Sequence, residues 1–226
     1  MNTTTTTETA GSPPTRKALP WGLVVAMAVA VLAVLISVAL TVLASFSKQD
    51  DLAGSPIDVP APEIALTAHD GTPFLLSEQE GKVLLITFGF TYCPNICPMA
   101  LGSLAAVYRE LTPTEREQVQ VVFVTVDPDR DTVEKLAGYV PFFHEDFIGL
   151  TGSAEEIAEV AKPYGVFYEA APNSGDDAAN AYTINHSAYT YLIGRDGTWS
   201  RNFDHDTMSH TDDVVTAVRA VLAEQS

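Results

Sequence analysis

Two cysteines, Cys93 and Cys97, constrain this chain more than any other feature. They are the only cysteines in the sequence, and they follow an apolar run from Val83 to Phe90. That run predicts a buried strand, and the apolar residues after Pro98 recur with a helical period. A strand, a dithiol turn and a helix in this order are typical of the reactive corner of a thioredoxin-like fold. The spacing is C-x-x-x-C, one residue longer than the redox C-x-x-C motif.

The helix after the cysteines is predicted over residues 98–111. Pro98 suits its first position, where a missing backbone N–H costs nothing. The residue before a proline avoids the α region, so Cys97 is expected at or near the N-cap. Both sulfurs would then lie at the positive end of the helix dipole, which favours thiolates and lowers the pKa of the thiols.

Two thiolates at this spacing can close a small disulfide or bind one soft metal ion such as Cu(I) or Zn²⁺. A third ligand would complete a metal site. Two inert core cysteines and a purely structural disulfide are the alternatives. The prolines beside both cysteines place the pair in a loop rather than on a periodic apolar face, which argues against inert cysteines.

Residues 21–46 carry no charge and are predicted to form a transmembrane helix. The stretch is longer than the apolar region of a signal peptide, so a retained anchor is favoured over a cleaved one. Arg16 and Lys17 precede it, which predicts a cytoplasmic N-terminus and an extracytoplasmic main domain in the cell membrane. Residues 1–20 read as a disordered tail, residues 47–60 as a linker and residues 61–226 as the folded domain.

The net charge of the chain is −17. Such an acidic surface argues against nucleic-acid binding, which requires basic patches. It is compatible with attraction of cationic partners or metal ions, and equally with a merely solvated surface.

The rest of the domain alternates between strand and helix patterns, which predicts an α/β fold. Ser153 and Glu156 form a capping box at the start of one helix. The predicted elements are a hairpin around residues 70–71, a second buried strand at 119–126, helices at 132–143, 153–161 and 209–223, and strands at 147–150, 165–171, 188–193 and 198–203.

His186 is the candidate third ligand among the five histidines. It precedes an apolar strand, in a loop position that faces the dithiol in thioredoxin-like folds. An imidazole beside two thiolates makes a three-coordinate Cu(I) site, although capping or solvation is the more frequent role of a lone histidine. His205, Met208 and His210 form a second group of soft donors, which a capping or an auxiliary copper-binding role would explain.

Three segments together closely resemble the Sco/SenC family: Phe88 to Pro98, Val126 to Thr132, and His186-Ser187 followed by Tyr191 to Ile193. The resemblance extends from about residue 62 to residue 223. It implies a membrane-tethered, thioredoxin-like copper protein that binds one copper ion, as Cu(I) or Cu(II), and assists assembly of the binuclear copper site in subunit II of cytochrome c oxidase.

The resemblance also implies roles for particular residues. Cys93, Cys97 and His186 become the copper ligands, and Asp127 and Asp131 match acidic positions near the metal site or the partner surface. For these aspartates, capping of the following helix is the alternative. The group of His205, Met208 and His210 does not map onto the family pattern.

Two functions fit these features. The first is a copper chaperone that receives copper from a periplasmic donor and delivers it to subunit II. The second is a thiol–disulfide oxidoreductase in which Cys93 and Cys97 form the catalytic redox pair, supplied by a thiol reductant, and reduce the cysteines of that copper site. His186 discriminates between them, because a reductase needs no third soft-metal ligand.

Overall fold

The computed structural model describes residues 21–22, 25–27, 29–38, 57–172 and 182–224. The chain divides into two compact units, Met1–Lys48 and Gln49–Ser226. In the first unit the described residues are helical. Within the described ranges, we find no helix that combines the length and the apolar character needed for a membrane span. The predicted span over residues 21–46 falls partly outside these ranges and stays a prediction, as do the domain boundaries.

The second unit is built on an eight-stranded mixed sheet, which confirms the predicted α/β class. The spatial order of its strands is β1-β10-β9-β4-β5-β6-β2-β3, and a separate two-stranded sheet pairs β7 with β8. The strands are β1 Val59–Pro60, β2 Ala65–Ala68, β3 Pro73–Leu75, β4 Val83–Gly89, β5 Val119–Thr125, β6 Ile148–Thr151, β7 Tyr168–Pro172, β8 Tyr182–His186, β9 Thr190–Ile193 and β10 Thr198–Phe203.

Six α-helices accompany these strands in the described part of the second unit. The last of them packs against the first, and its apolar face is buried. The helices are α1 Ile96–Glu110, α2 Pro113–Glu117, α3 Val133–Tyr139, α4 Ala154–Ala161, α5 His205–Met208 and α6 Thr211–Glu224; short 3-10 turns span Leu76–Gln79 and Val140–Phe142.

The two central strands explain where the site forms. Every residue of β4 and β5 is buried, as continuous apolar runs in a sheet covered on both faces predict. The two strands pair in parallel from Val83 opposite Val119 to Gly89 opposite Thr125, so both end at the same edge. The loops that follow them, which begin near Phe90 and Val126, therefore lie side by side.

Local signals placed most of the remaining elements correctly. The predicted hairpin is present, with β2 and β3 antiparallel and Gly71 at a φ of +85°, a left-handed conformation that favours glycine. Helix α4 begins with the predicted capping box of Ser153 and Glu156. Met99 belongs to the apolar helical pattern that follows the cysteines, but its side chain is 54% exposed. Residues 172–181, whose polar sequence predicts a loop, lie almost entirely outside the described residues.

Candidate metal centre

The side chains of Cys93, Cys97 and His186 converge in one place. One potential ligand atom from each lies within 4.8 Å of the other two, and this is the one such cluster of His, Cys, Asp and Glu among the described residues. The Cys97 sulfur is 3.3 Å from Nε2 of His186. Cys97 is buried and Cys93 is partly exposed, and neither forms a disulfide. The structure therefore brings together all three predicted ligands.

The start of helix α1 positions the two sulfurs. The helix begins at Ile96 with Asn95 as its N-cap, so the predicted start at Pro98 was two residues too late. The avoidance of the α region before proline is only a preference, and a proline anywhere in the first turn sacrifices no helical hydrogen bond. Cys97 is thus the second helical residue, and its N–H donates to the Cys93 sulfur at 3.4 Å.

The two thiols differ in acidity. Hydrogen bonding from Cys97 lowers the pKa of Cys93 well below its usual value, with further contributions from His186 and backbone N–H groups. The pKa of Cys97 is raised, because its proton is held against the Cys93 sulfur and because the side chain is buried. The apo site therefore contains one partly exposed thiolate and one buried thiol.

His186 presents Nε2 to the sulfurs. Its Nδ1 lies 2.9 Å from the carbonyl oxygen of Ser187, which can only accept a hydrogen bond, so Nδ1 carries the proton. Nε2 is therefore the nitrogen left to present a lone pair to a metal, the arrangement that ligating histidines use. His186 was expected in a loop, but it is the last residue of β8 and pairs with Tyr168. The apolar strand that follows gives the stronger sequence signal, so the short strand β8 was not predicted.

Asp131 fastens the loop that carries Cys93. Its carboxylate is fully buried and accepts hydrogen bonds from the N–H and the hydroxyl of Thr91 at 2.9 and 2.6 Å, and from the Thr125 hydroxyl at 2.7 Å. Burial raises the pKa of this carboxyl. The N-cap of α3 is Thr132, so Asp131 does not cap that helix. Asp131 therefore holds the Cys93 loop in place through Thr91.

Asp127 belongs to a second support, together with Arg130 and Tyr182. Arg130 forms an ion pair with Asp127 and donates to the carbonyl oxygen of Tyr182 at 2.9 Å. Its guanidinium lies 3.7 Å from the centre of the Tyr182 ring and 4.8 Å from that of Tyr92. This cluster joins the loop of Cys93 to strand β8, which carries His186. Neither Arg130 nor Tyr182 was predicted as a site residue, although Arg130 lies in the segment from Val126 to Thr132 that resembles the family.

The second predicted group of soft donors divides in the structure. His210 is exposed, and its Nδ1 lies 3.0 Å from the carbonyl oxygen of Asp206. Met208 is buried and His205 is partly buried, and both line a cavity that also reaches Cys97 and His186. The three residues therefore do not act as one surface patch.

The donor set suits a soft cation. Two sulfurs and one imidazole are the ligands that Cu(I) prefers, and the buried position of Cys97 restricts access of water. The same two sulfurs also have the acid–base difference that thiol–disulfide exchange requires, with one thiolate to attack and one protonated thiol beside it. The geometry alone supports both chemistries, and the histidine is the group that only the metal site needs.

Comparison with known proteins agrees with the resemblance to the Sco/SenC family. A model of the SCO1/SenC family matches residues 60–223. The mitochondrial SCO2 homolog of Bos taurus is 39% identical over 166 residues, which cover 71% of this chain and 61% of that protein. An SCO2-like protein of Rickettsia prowazekii is 41% identical over 143 residues, covering 59% of this chain and 68% of that protein. The match thus extends over about three fifths of the bovine relative.

Solved structures resemble the fold as well. The solution structure of apo Sco1 from Thermus thermophilus has a TM-score of 0.67 and 38% identity, and the match covers 75% of this chain and 96% of that one. Copper-bound ScoI from Arabidopsis thaliana has a TM-score of 0.61 and 35% identity, with coverage of 72% and 99%. These likenesses support the thioredoxin-like fold that the strand–dithiol–helix order predicted.

Proposed function

Because this chain belongs to the SCO1/SenC family, we propose that it binds one copper ion through Cys93, Cys97 and His186 and delivers it to the binuclear copper site of cytochrome c oxidase subunit II. The observation that carries the proposal is the convergence of two sulfurs and a bare imidazole nitrogen within 4.8 Å of one another. Such a set leaves a copper(I) ion with an open position.

The copper-bound state of the similar Arabidopsis thaliana protein supports a copper cargo rather than zinc. In this chain, the hydrogen bond from Nδ1 of His186 to the Ser187 carbonyl prepares Nε2 for a metal before any metal arrives. The acidic surface of the chain would favour the approach of a cationic donor.

Delivery would proceed by exchange of ligands. Cys93 is the more exposed sulfur and the better-stabilised thiolate, so an incoming thiolate of the partner competes with it first. Cys97 is buried and releases the ion last. Because soft ligands exchange one at a time, the copper is never free in solution during the transfer.

The second candidate function is reduction of the cysteines in the same copper site. The acidity difference between the two thiols favours it. The Cys93 thiolate would attack a sulfur of the target disulfide and expel one target thiolate. The Cys97 thiol would lose its proton and attack the Cys93 sulfur, releasing the second target thiolate. The target gains two electrons, this chain becomes the disulfide, and a thiol reductant must restore it.

We place the copper-binding domain outside the cytoplasm, tethered to the cell membrane through residues 21–46, with a periplasmic copper donor as partner. The uncharged length of that segment and the basic residues before it support this proposal. Full-length protein should remain in the membrane pellet after a carbonate wash. A soluble mature form that begins near residue 47 would contradict the proposal.

The His186→Ala variant separates the two functions. The Cys97 hydrogen bond is the largest cause of the acidity of Cys93 and the contribution of His186 is smaller, so disulfide exchange should proceed at a near-normal rate without the imidazole. Copper should be lost to a mild chelator, and assembly of the oxidase copper site should fail at low copper and recover partly when copper is added. The exposed His210→Ala variant is the matched control. Normal assembly by a His186→Ala protein that retains no copper would favour the reductase.

A further inference from the structure

A small cavity lies directly behind the three converging ligands. Its volume is about 10 Å³, which is room for about one water molecule or one ion. Its lining includes four side chains with metal-binding atoms, namely Cys97, His186, His205 and Met208. Cys93 does not line it. The cavity therefore shares two of the three proposed copper ligands and adds the Met208 thioether. His205 is a wall residue only, because its ring nitrogens do not belong to the one group of ligand atoms within 4.8 Å of one another among the described residues.

Helix α5 brings Met208 to the cavity. The helix is a single turn, capped by Asp204, whose carboxylate accepts from the N–H of Thr207 at 2.8 Å. It contacts helix α1, which carries Cys97. Met208 is only 2% exposed, so its thioether is held inside the protein.

The chemistry of the lining selects the occupant. The remaining walls include the rings of Phe88 and Phe123, which offer no ligands. A thioether is a soft, uncharged donor that binds Cu(I) and is poorly matched to hard divalent ions. Binding of Cu(I) displaces the proton of the Cys97 thiol. The monovalent ion beside the resulting thiolate makes a neutral pair, which an apolar cavity accepts far more readily than a net charge.

We propose that this cavity is a second coordination position for Cu(I), in which the Met208 thioether joins Cys97 and His186 when Cys93 is engaged elsewhere. The inference rests on the proposed copper-binding function and extends it. The ion would stay bound while the exposed Cys93 sulfur is occupied by a partner thiol, and would return when that sulfur is free.

Selenium X-ray absorption on the full-length protein in detergent, with selenomethionine in place of methionine, tests the inference directly. Cu(I) is added to the reduced protein and to its Cys93→Ser variant. A copper neighbour at bonding distance from selenium is expected, more strongly in Cys93→Ser, because that variant leaves the inner donors as the remaining ligands. The signal should vanish in Met208→Leu and persist in Met99→Leu, whose methionine is 54% exposed and does not line the cavity.

Chelator competition gives a second readout in the Cys93→Ser background. Met208→Leu should weaken Cu(I) retention by roughly tenfold or more, whereas the exposed His210→Gln should not. The exchange of methionine for leucine conserves volume, which apolar cores tolerate. The labelled proteins that keep Met208 provide a test even if that variant does not fold.

The outcomes distinguish this inference from the proposed function. One Cu(I) bound per chain without a copper neighbour of selenium, in both the unsubstituted protein and Cys93→Ser, would overturn the inner position and leave the copper-binding function intact. Failure of the unsubstituted protein to bind Cu(I) at all would overturn the proposed function and the inner position with it. A copper neighbour that persists in Met208→Leu would assign the donor to another methionine and overturn the inference.

Discussion

The hydroxyl of Tyr182 donates a hydrogen bond to the Asp127 carboxylate at 2.7 Å, and this contact ties the strand of the candidate histidine to the loop after β5. Arg130 strengthens the same connection, because it pairs with Asp127 and stacks on the Tyr182 ring. His186 lies four residues beyond Tyr182 on the same strand. The position of the proposed third ligand therefore depends on a contact made well away from the sulfurs.

Replacement of Arg130 by alanine should destabilise the domain and loosen the histidine. The substitution leaves the Asp127 carboxylate, which is 3% exposed, without its cation, and the loss of one partner from a buried ion pair costs about 3 kcal/mol or more. Cu(I) stoichiometry should stay at one per chain while affinity falls by about tenfold or more. Urea unfolding and chelator competition measure the two effects.

Arg219→Ala is the control, because its ion pair with Glu115 is largely exposed. Its cost in unfolding free energy should be below about 1 kcal/mol, with unchanged copper affinity. Equal effects of the two substitutions would refute the role assigned to Arg130.

The reactivity of Cys93 should show little dependence on pH. Its pKa is lowered to about 3, with the Cys97 hydrogen bond as the largest cause. The folded, reduced apo protein should therefore react with iodoacetamide at one sulfur, at a nearly constant rate between about pH 5 and pH 8, and slow only as the pH falls toward that pKa. Peptide mapping should find the label on Cys93, because the pKa of Cys97 is raised and its side chain is buried.

The urea-unfolded protein is the reference for this measurement. An ordinary cysteine thiol has a pKa of about 8.5. In the unfolded protein, the rate of alkylation should therefore rise by nearly tenfold per pH unit until the pH approaches that value. A folded protein that follows the same slope would show that the helix start does not hold a thiolate.

Much of this architecture was predictable because the signals are local. The continuous apolar runs at Val83–Phe90 and Val119–Val126 can only be strands buried on both faces, and the capping box at Ser153 needs only four consecutive residues. The dithiol was equally local. Strand order then placed the loops after β4 and β5 side by side.

The supports of the site were not predictable in this way. Arg130 and Tyr182 are 52 positions apart, and no periodicity in the sequence relates a cation to a particular ring at that distance. Helix α1 starts at Ile96, so Cys97 is helical despite the preference against the α region before Pro98. Asp131 resembled a helix cap, yet Thr132 took that position and left the carboxylate to the Cys93 loop.

Tyr139→Phe should stabilise the apo protein. The Tyr139 hydroxyl is buried and has no hydrogen-bond partner among the described residues, so folding removes it from water without compensation. Burial and the nearby sulfurs raise its pKa, which keeps the phenol neutral. Removal of the oxygen should therefore raise the unfolding free energy by about 1 kcal/mol.

Tyr191→Phe should have the opposite sign, because that buried hydroxyl donates to the Tyr164 carbonyl oxygen at 3.1 Å. The substitution leaves the carbonyl without this donor and should cost about 1 kcal/mol or more. Thermal unfolding of both variants decides the comparison, and a loss of stability in Tyr139→Phe would show that its hydroxyl does have a partner.

Gly89, the last residue of β4, is where the backbone approaches the dithiol most closely. A Cβ built on it would lie 2.7 Å from the Cys97 sulfur and 2.9 Å from the Phe123 ring, closer than real side chains come. Gly89→Ala should therefore cost about 1–3 kcal/mol of unfolding free energy, as overpacked cores do. Because the sulfur is one of the atoms that must move, the variant should also lose Cu(I) to a weaker chelator.

Gly102→Ala is the matched control, since a Cβ at that position in helix α1 meets nothing within 4 Å. Alanine inside a helix is favoured over glycine by about 1 kcal/mol, so this variant should gain stability and bind Cu(I) as the unsubstituted protein does. If Gly89→Ala bound Cu(I) with unchanged affinity, the Cys97 sulfur would be free to move without loss, and the close packing behind it would not contribute to the site.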